Sequence, residues 1–270
     1  MKIGFIGTGN MGMAIIKGYL SVHPGEKKNI FAFDKDADKL RVLSDALGII
    51  GCSSMDQLME QSNVIVLAVK PNIFDAVIPE ISRLYRTGQV LVSIAAGISM
   101  GYIEKLMQKD DVKLVRVMPN TPAMVNEGMS ALCRNQFITD VEFEPVLELF
   151  HSIGRAEVIG EELIDTVIGV SGSSPAYTYM YIEALIDAAV SNGMDKEQAK
   201  IFAGQAVLGA AKMVLETGID PVTLRVNVCS PGGTTIEAVN ALLNNGFQDN
   251  VAEAFQAAVN KSKAMTKEAK

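Results

Sequence analysis

The segment MKIGFIGTGNMG at the start of this 270-residue chain constrains the fold more than any other stretch. Lys2 to Ile6 form a short apolar run that passes directly into Gly7-x-Gly9-x-x-Gly12. Ala14, Ile15, Ile16, Tyr19 and Leu20 follow at helical spacing. Strand, glycine turn and helix, in that order, make a GxGxxG string a dinucleotide fingerprint. Gly7 permits the tight turn, Gly9 lets the backbone approach a pyrophosphate, and Gly12 lets the helix pack closely on the strand. The open amides and positive dipole end of that helix receive the phosphates. A glycine-rich turn without a ligand is the alternative, and the flanking strand and helix count against it.

The first half of the chain keeps the same rhythm. Asn29 to Phe33 reads as a strand ending at Asp34, and Ala37 to Leu47 as a helix stopped by Gly48. Asn63 to Val69 is the near-continuous apolar run of a parallel strand buried on both faces. A helix follows Pro71 to about Arg83. Gln89 to Ala95 is a strand leading into the Ala96-Gly97 turn and another helix. Lys113 to Met118 is a further strand, and Pro119-Asn120-Thr121-Pro122 a rigid loop. This alternation predicts an α/β, Rossmann-type doubly wound parallel sheet over residues 1–160. Ligands on such sheets bind at the C-terminal strand ends, so the loops after Ile6, Phe33, Val69, Ala95 and Met118 should line one crevice.

Residues 161–270 carry no strand pattern and read as an all-α domain. Ser174-Pro175 predicts a helix start, with Ser174 as N-cap and Pro175 first in the helix. Pro175 to Asn192 is apolar nearly all round, with one polar stripe at Glu183, Asp187 and Ser191. Ile201 to Ala211 has no charge. Helices apolar on every side must be buried, which predicts an obligate subunit interface here. A self-contained helical bundle is the alternative.

Composition excludes several classes. A net charge of −7 argues against nucleic acid and anionic membranes as partners. No apolar run approaches the roughly 18 residues of a membrane span. The N-terminal segment does not read as a signal peptide, because its glycines and Asn10 interrupt any apolar core. Cys52, Cys133 and Cys229 are few, odd in number and widely spaced. They predict small buried thiols in a reducing, cytoplasmic setting, and no cluster of Cys and His has metal-ligand spacing.

Three motifs carry chemistry. Asp34, about 20 residues beyond the fingerprint, is placed to accept hydrogen bonds from a ribose and favours NAD, whereas Lys35 beside it could attract a 2′-phosphate. A solvated turn is the bland reading of the pair. Ala68-Val69-Lys70-Pro71 ends a buried strand with a lysine fixed by proline. That cation could meet a cofactor phosphate or a substrate carboxylate, or simply be solvated. In Ser230-Pro231-Gly232-Gly233-Thr234-Thr235-Ile236-Glu237, Thr234 and Glu237 have capping-box spacing. With Thr234 used by the cap, Thr235 stands at the first helical position with a free hydroxyl. The Gly232 and Gly233 amides are expected to be open, so the segment suits a small carboxylate.

Absences discriminate too. The histidines are His23 and His151, and neither belongs to a strand-end motif. No lysine lies between Lys113 and Lys196. Carbonyl reduction usually needs a proton donor, often His or Lys. The 3-hydroxyacid dehydrogenases place a lysine just after a turn like Gly172-Ser173-Ser174, where this chain has Tyr177 to Tyr181. An imine substrate needs no strong protein acid, because its nitrogen is itself basic.

Taken together these segments resemble the pyrroline-5-carboxylate reductases. The matching pieces are Phe5 to Gly12, Ala68 to Pro71, Ser93 to Gly97, Met118 to Pro122, Gly169 to Tyr177, Gly209 to Met213 and Ser230 to Ile236, in order along nearly the whole chain. The resemblance implies a Rossmann domain followed by a helical domain that interlocks into a homodimer, with dimers that often assemble into decamers. It implies reduction of the cyclic imine pyrroline-5-carboxylate to L-proline with NADPH or NADH. It places the cofactor at Ile6, Gly7, Thr8, Gly9, Asn10, Met11, Gly12, Asp34, Lys35, Ala68, Val69, Lys70, Pro71, Ala95, Ala96 and Gly97. The substrate falls at Ser230, Gly232, Gly233, Thr234, Thr235 and Asn120, with the Thr235 hydroxyl, taken as catalytic, on the ring nitrogen. Some relatives carry Asn where Met55 stands, and many lack an acid at Asp34. The competing readings are a 3-hydroxyacid dehydrogenase-like reductase and a non-catalytic dinucleotide-binding redox sensor.

Overall fold

The computed structural model describes residues 1–266. The strands are β1 (Ile3–Ile6), β2 (Ile30–Phe33), β3 (Ile50–Gly51), β4 (Val64–Leu67), β5 (Val90–Ser93), β6 (Lys113–Met118), β7 (Gly128–Arg134) and β8 (Gly154–Val158). They form one sheet in the order β3-β2-β1-β4-β5-β6-β7-β8. Interleaved with them are α1 (Asn10–Val22), α2 (Ala37–Leu47), α3 (Met55–Gln61), α4 (Phe74–Leu84), α5 (Met100–Met107) and α6 (Asp140–His151). The pairing is parallel from β3 through β6, β7 runs antiparallel to β6, and β8 is parallel to β7. The antiparallel step departs from a wholly parallel sheet for a simple reason. Residues 119–127 connect β6 to β7 without a crossover helix, and a short link can only return the chain antiparallel.

Helices cover both faces of the sheet. Ile3 and Phe5 of β1 pack with Ile15 and Ile16 of α1 and with Phe143, Val146, Leu149 and Phe150 of α6. On the other face, Ile65 and Leu67 of β4 meet Leu58 and Met59 of α3 and Phe74, Ile78 and Ile81 of α4. The four residues of β1 and of β4 are buried throughout, which is why those segments read as unbroken apolar runs. Helix α2 starts at Asp36, whose carboxylate accepts the Lys39 amide, and ends at Gly48, which takes φ +73°. That positive φ suits glycine and satisfies the last carbonyls of the helix.

After β8 come α7 (Ile164–Val167), a π turn (Ile168–Gly172), α8 (Ser174–Ser191), α9 (Lys196–Thr217), α10 (Pro221–Asn227), α11 (Thr234–Asn244) and α12 (Phe247–Met265). The first compact unit takes in Met1–Gly172 together with the chain from Ala258, and the second is Ser173–Ala257. The packing boundary therefore lies beyond the change of character at residue 160, because Ile164 and Ile168 are buried in the core of the sheet. Ser174 is not the N-cap of α8. Ser173 is already helical, with φ −97° and ψ −24°, so the helix leaves the π turn without a fresh start and no side chain caps it.

The second unit has almost no interior of its own. Its buried residues are two alanines of α9, Ala199 and Ala203. Tyr179 and Met180 of α8, and Ile201 and Phe202 of α9, are more than half exposed. No described helix is long and apolar enough to cross a membrane.

Candidate active site

The chain from β1 to β3 builds the sheet in one direction, then returns to place β4 on the other side of β1 and builds away from it. A crevice opens at such a reversal, outside the C-terminal strand ends. It is present here as a cleft of about 250 Å³ lined by Ile6, Gly7, Gly9, Asp34, Lys35, Ala68, Val69 and Lys70. The loops after β1, β2 and β4 thus share one site. Phe33, Lys39, Met55, Ile73 and Val77 line it as well. Ile73 and Val77 stand four apart just after the Lys70-Pro71 motif, and that helical spacing was the available signal for them.

The three fingerprint glycines differ in the way their roles require. Gly7 has φ +94°, and a Cβ there would lie 2.6 Å from the Ala68 carbonyl oxygen. A Cβ on Gly12 would lie 2.8 Å from the Gly7 carbonyl oxygen. A Cβ on Gly9 would meet nothing within 4 Å, so the space above Gly9 is open to a ligand. Helix α1 begins after Gly9 with no side-chain cap and no acid in its first turn. Its first hydrogen bond runs from Met13 to Gly9, which leaves the amides of Asn10, Met11 and Gly12 facing the loop.

Thr8 is fully buried behind this loop. Its amide and its hydroxyl both donate to Asp34 Oδ2 at 2.7 Å, and the Asp36 amide donates to Oδ1 at 3.1 Å. Burial would raise the Asp34 carboxyl, but the Thr8 bonds, then the Asp36 amide and Lys39, outweigh it and hold the group below its ordinary value. Asp34 is therefore more than a turn residue. It binds the glycine loop to the end of β2 as a fixed carboxylate.

Ala95, Ala96 and Gly97 follow β5 and lie outside this cleft lining. Gly97 takes φ +71°, with the Met265 carbonyl oxygen 3.2 Å from the position of a Cβ. Nearby, Arg116 of β6 is buried and pairs with Glu161 at 2.8 Å, and the same Glu161 oxygen accepts the Met100 amide at the start of α5. This pair fastens the segment after the turn to the sheet. Asn120 was expected to touch substrate, but its amide carries protein partners at both ends. Its Nδ2 donates to the Ser171 carbonyl at 3.0 Å and its Oδ1 accepts the Met129 amide at 2.8 Å.

Ser230 to Thr235 lie in the second unit. Pro231 and Gly232 occupy the middle of a turn closed by the Gly233 amide on the Ser230 carbonyl at 3.0 Å, with Gly232 at φ +69°. Proline followed by a glycine of positive φ is the chemistry of a type II turn. Two sequence expectations are corrected here. The N-cap is Gly233 and not Thr234, and no capping box forms. The helix starts one residue early, so Glu237 is one position too far to reach back, and the amide it would reach is already spent on Ser230. For the same reason the Gly233 amide is not open. The available donors are the first-turn amides of α11 that follow it. Thr235 is exposed, and its hydroxyl has no partner among the described residues.

Residues 161–265 match the family model described as pyrroline-5-carboxylate reductase dimerisation, and residues 2–97 the model described as NADP oxidoreductase, coenzyme F420-dependent. The pyrroline-5-carboxylate reductase of Escherichia coli (strain K12) is 46% identical over 269 residues, covering 98% of both chains. That of Methanosarcina acetivorans is 37% identical over 98% of both. The chain belongs to the pyrroline-5-carboxylate reductase family. The solved reductase of Coxiella burnetii superposes with a TM-score of 0.92 at 34% identity over 98% of both chains. The Plasmodium falciparum reductase, solved with NADP bound, gives 0.88 at 34% identity, over 99% of this chain and 98% of that one.

Cys52 and Cys133 are buried, and burial pushes the Cys133 thiol up to about 12, which leaves it protonated and inert. Cys229 was expected to be buried and is only partly so within one chain. Among the described residues no group of three or more His, Cys, Asp or Glu could hold a metal ion.

Proposed function

We infer that this chain reduces L-1-pyrroline-5-carboxylate to L-proline with NADPH or NADH, the last step of proline biosynthesis. The observation that carries this reading is the 46% identity to the Escherichia coli reductase over 98% of both chains. The open space at Gly9 and the uncapped start of α1 agree with a dinucleotide. So does the NADP bound by the Plasmodium falciparum relative. When bound, the reduced nicotinamide supplies the hydride that the imine carbon takes up.

The residues of this chain then have the following parts. Gly9, Asn10, Met11 and Gly12 hold the phosphates, Ile6 and Gly7 form the turn beneath them, Thr8 fixes that turn to Asp34, and Asp34 and Lys35 face the adenosine ribose. Ala68, Val69 and Lys70 form the wall of the cleft, Pro71 fixes the turn that follows them, and Ala95, Ala96 and Gly97 receive the nicotinamide. The Thr234 and Thr235 amides bind the substrate carboxylate at the helix start, with Ser230, Gly232 and Gly233 shaping the turn before it. The Thr235 hydroxyl orients the ring nitrogen. Asn120 acts by holding its loop, through the two bonds to Ser171 and Met129. Catalysis is chiefly positioning, because an imine nitrogen takes its proton from water without a protein acid.

Residues 1–160 are the coenzyme domain and 161–270 the helical substrate and dimerisation domain in this reading. The second copy of the chain covers the exposed faces of α8 and α9, since two buried alanines cannot stabilise a helical unit. The dimer assembles further toward a decamer, works in the cytoplasm and binds neither nucleic acid nor membrane. The test is oxidation of NADH and of NADPH with pyrroline-5-carboxylate, with L-proline identified as product. A folded enzyme that binds dinucleotide but turns over neither mixture refutes the assignment.

A further inference from the structure

The adenosine end of the cleft contains an acid that cannot turn away. Asp34 Oδ2 accepts the Thr8 amide and the Thr8 hydroxyl, each at 2.7 Å, and Oδ1 accepts the Asp36 amide at 3.1 Å. A carboxylate has about four acceptor positions. Three are taken, and the one that remains is on Oδ1. Thr8 is fully buried, so water does not compete for its two bonds. The same bonds keep the group below its ordinary carboxyl value, hence ionised at neutral pH. Met55 lines the cleft too, and its thioether offers a phosphate no donor.

We propose that this cleft selects the dinucleotide with a free 2′-hydroxyl, NADH, over its 2′-phosphorylated counterpart, with Asp34, locked by Thr8, as the specificity-determining residue. A ribose hydroxyl donates to the acceptor position left on Oδ1. A 2′-phosphate has only acceptors to offer and meets a fixed negative charge. A mobile acid could swing aside for the phosphate, whereas this one would first have to break three hydrogen bonds. Lys35 and Lys39 also line the cleft, but both are exposed, and the attraction of a solvated lysine is screened by salt. The inference rests on the reductase reading only in taking the ligand to be a nicotinamide dinucleotide.

Binding without substrate tests it. The enzyme is titrated with NADH and NADPH by nicotinamide fluorescence, and with ADP-ribose and its 2′-phosphate by calorimetry. The unphosphorylated member of each pair should bind about tenfold tighter or more. Asp34→Ser should move the ratio toward NADPH by about tenfold or more, and Thr8→Val, which frees one bond of the carboxylate, should move it less in the same direction. Equal or tighter binding of NADPH by the unaltered enzyme overturns the proposal, and that measurement requires no variant. An unchanged ratio in a folded Asp34→Ser enzyme also overturns it. Preference for NADPH would leave the reductase reading standing, whereas binding of neither coenzyme would refute both.

Discussion

The Thr235 hydroxyl is exposed near the start of α11, with no partner among the described residues. If it holds the ring nitrogen, Thr235→Ala should lower kcat/KM by about 10- to 1,000-fold, the range of one oriented bond plus misplacement. Thr235→Ser should recover most of the loss. Undiminished kcat/KM in the alanine variant would remove Thr235 from the mechanism. A second residue-scale prediction concerns Glu142, which pairs with Lys113 and accepts the amide and hydroxyl of Thr139. The Lys113 bond first, then the Thr139 bonds, pull its carboxyl from 4.5 down to about 2. A carboxyl lower in the folded than in the unfolded state stabilises fully above the unfolded value, and that stability is lost as pH falls through the folded one. Glu142→Gln should therefore unfold at lower urea than the parent at about pH 6, with the gap closing toward about pH 2. A gap independent of pH would refute the assignment. Legibility at this scale was uneven. Gly7, Gly9, Asp34 and Lys70 were readable because each sits at a strand end or in the glycine fingerprint. The two hydrogen bonds that Thr8 donates to Asp34 were not, because they join residues 26 apart that only sheet pairing brings together.

Helix α1 and strand β4 meet at the glycine loop with no tolerance for a side chain. A methyl on Gly12 would press on the Gly7 carbonyl oxygen, which is backbone and cannot swing away. Gly12→Ala should thus cost about 1–3 kcal/mol of stability, whereas Gly9→Ala, whose methyl meets no protein atom but enters the space left for the pyrophosphate, should leave stability nearly unchanged and weaken dinucleotide binding. Thermal melts and coenzyme titrations of the two variants decide this, and equal effects would contradict the packing role of Gly12. Long periodic elements could be read directly. The helix Ala37–Leu47 and the strand Lys113–Met118 fall where the sequence predicts. Strand β7, GMSALCR, has no alternation and carries a glycine and an arginine, while β8 has one buried residue in five. Neither pattern announces a strand, and both owe their conformation to pairing. Helix α6 did have a signal, since Thr139-x-x-Glu142 forms a complete capping box. At α11 the same spacing was present but the box was not, because the Ser230–Gly233 turn had already used the N-cap amide.

The Ser173–Ala257 unit exposes Tyr179, Met180, Ile201 and Phe202, far more apolar surface than a stable monomer tolerates. Sedimentation should find at least a dimer, and Phe202→Glu should dissociate it and lower the melting temperature. A monomeric parent, or a dimer indifferent to Phe202→Glu, would argue that the helices close on themselves. The sequence by itself determined that this chain has a dinucleotide loop, an alternating α/β half and a helical half too apolar to stand alone. Those features are local in periodicity and turn chemistry, and local interactions suffice to specify them. Tertiary structure alone decided that β7 turns antiparallel and that the chain from Ala258 packs with the first unit. It also decided that Asp34 is a pinned charge and not a loose one. Each of these depends on groups distant in sequence meeting in space, where burial and hydrogen-bond satisfaction, rather than propensity, set the outcome.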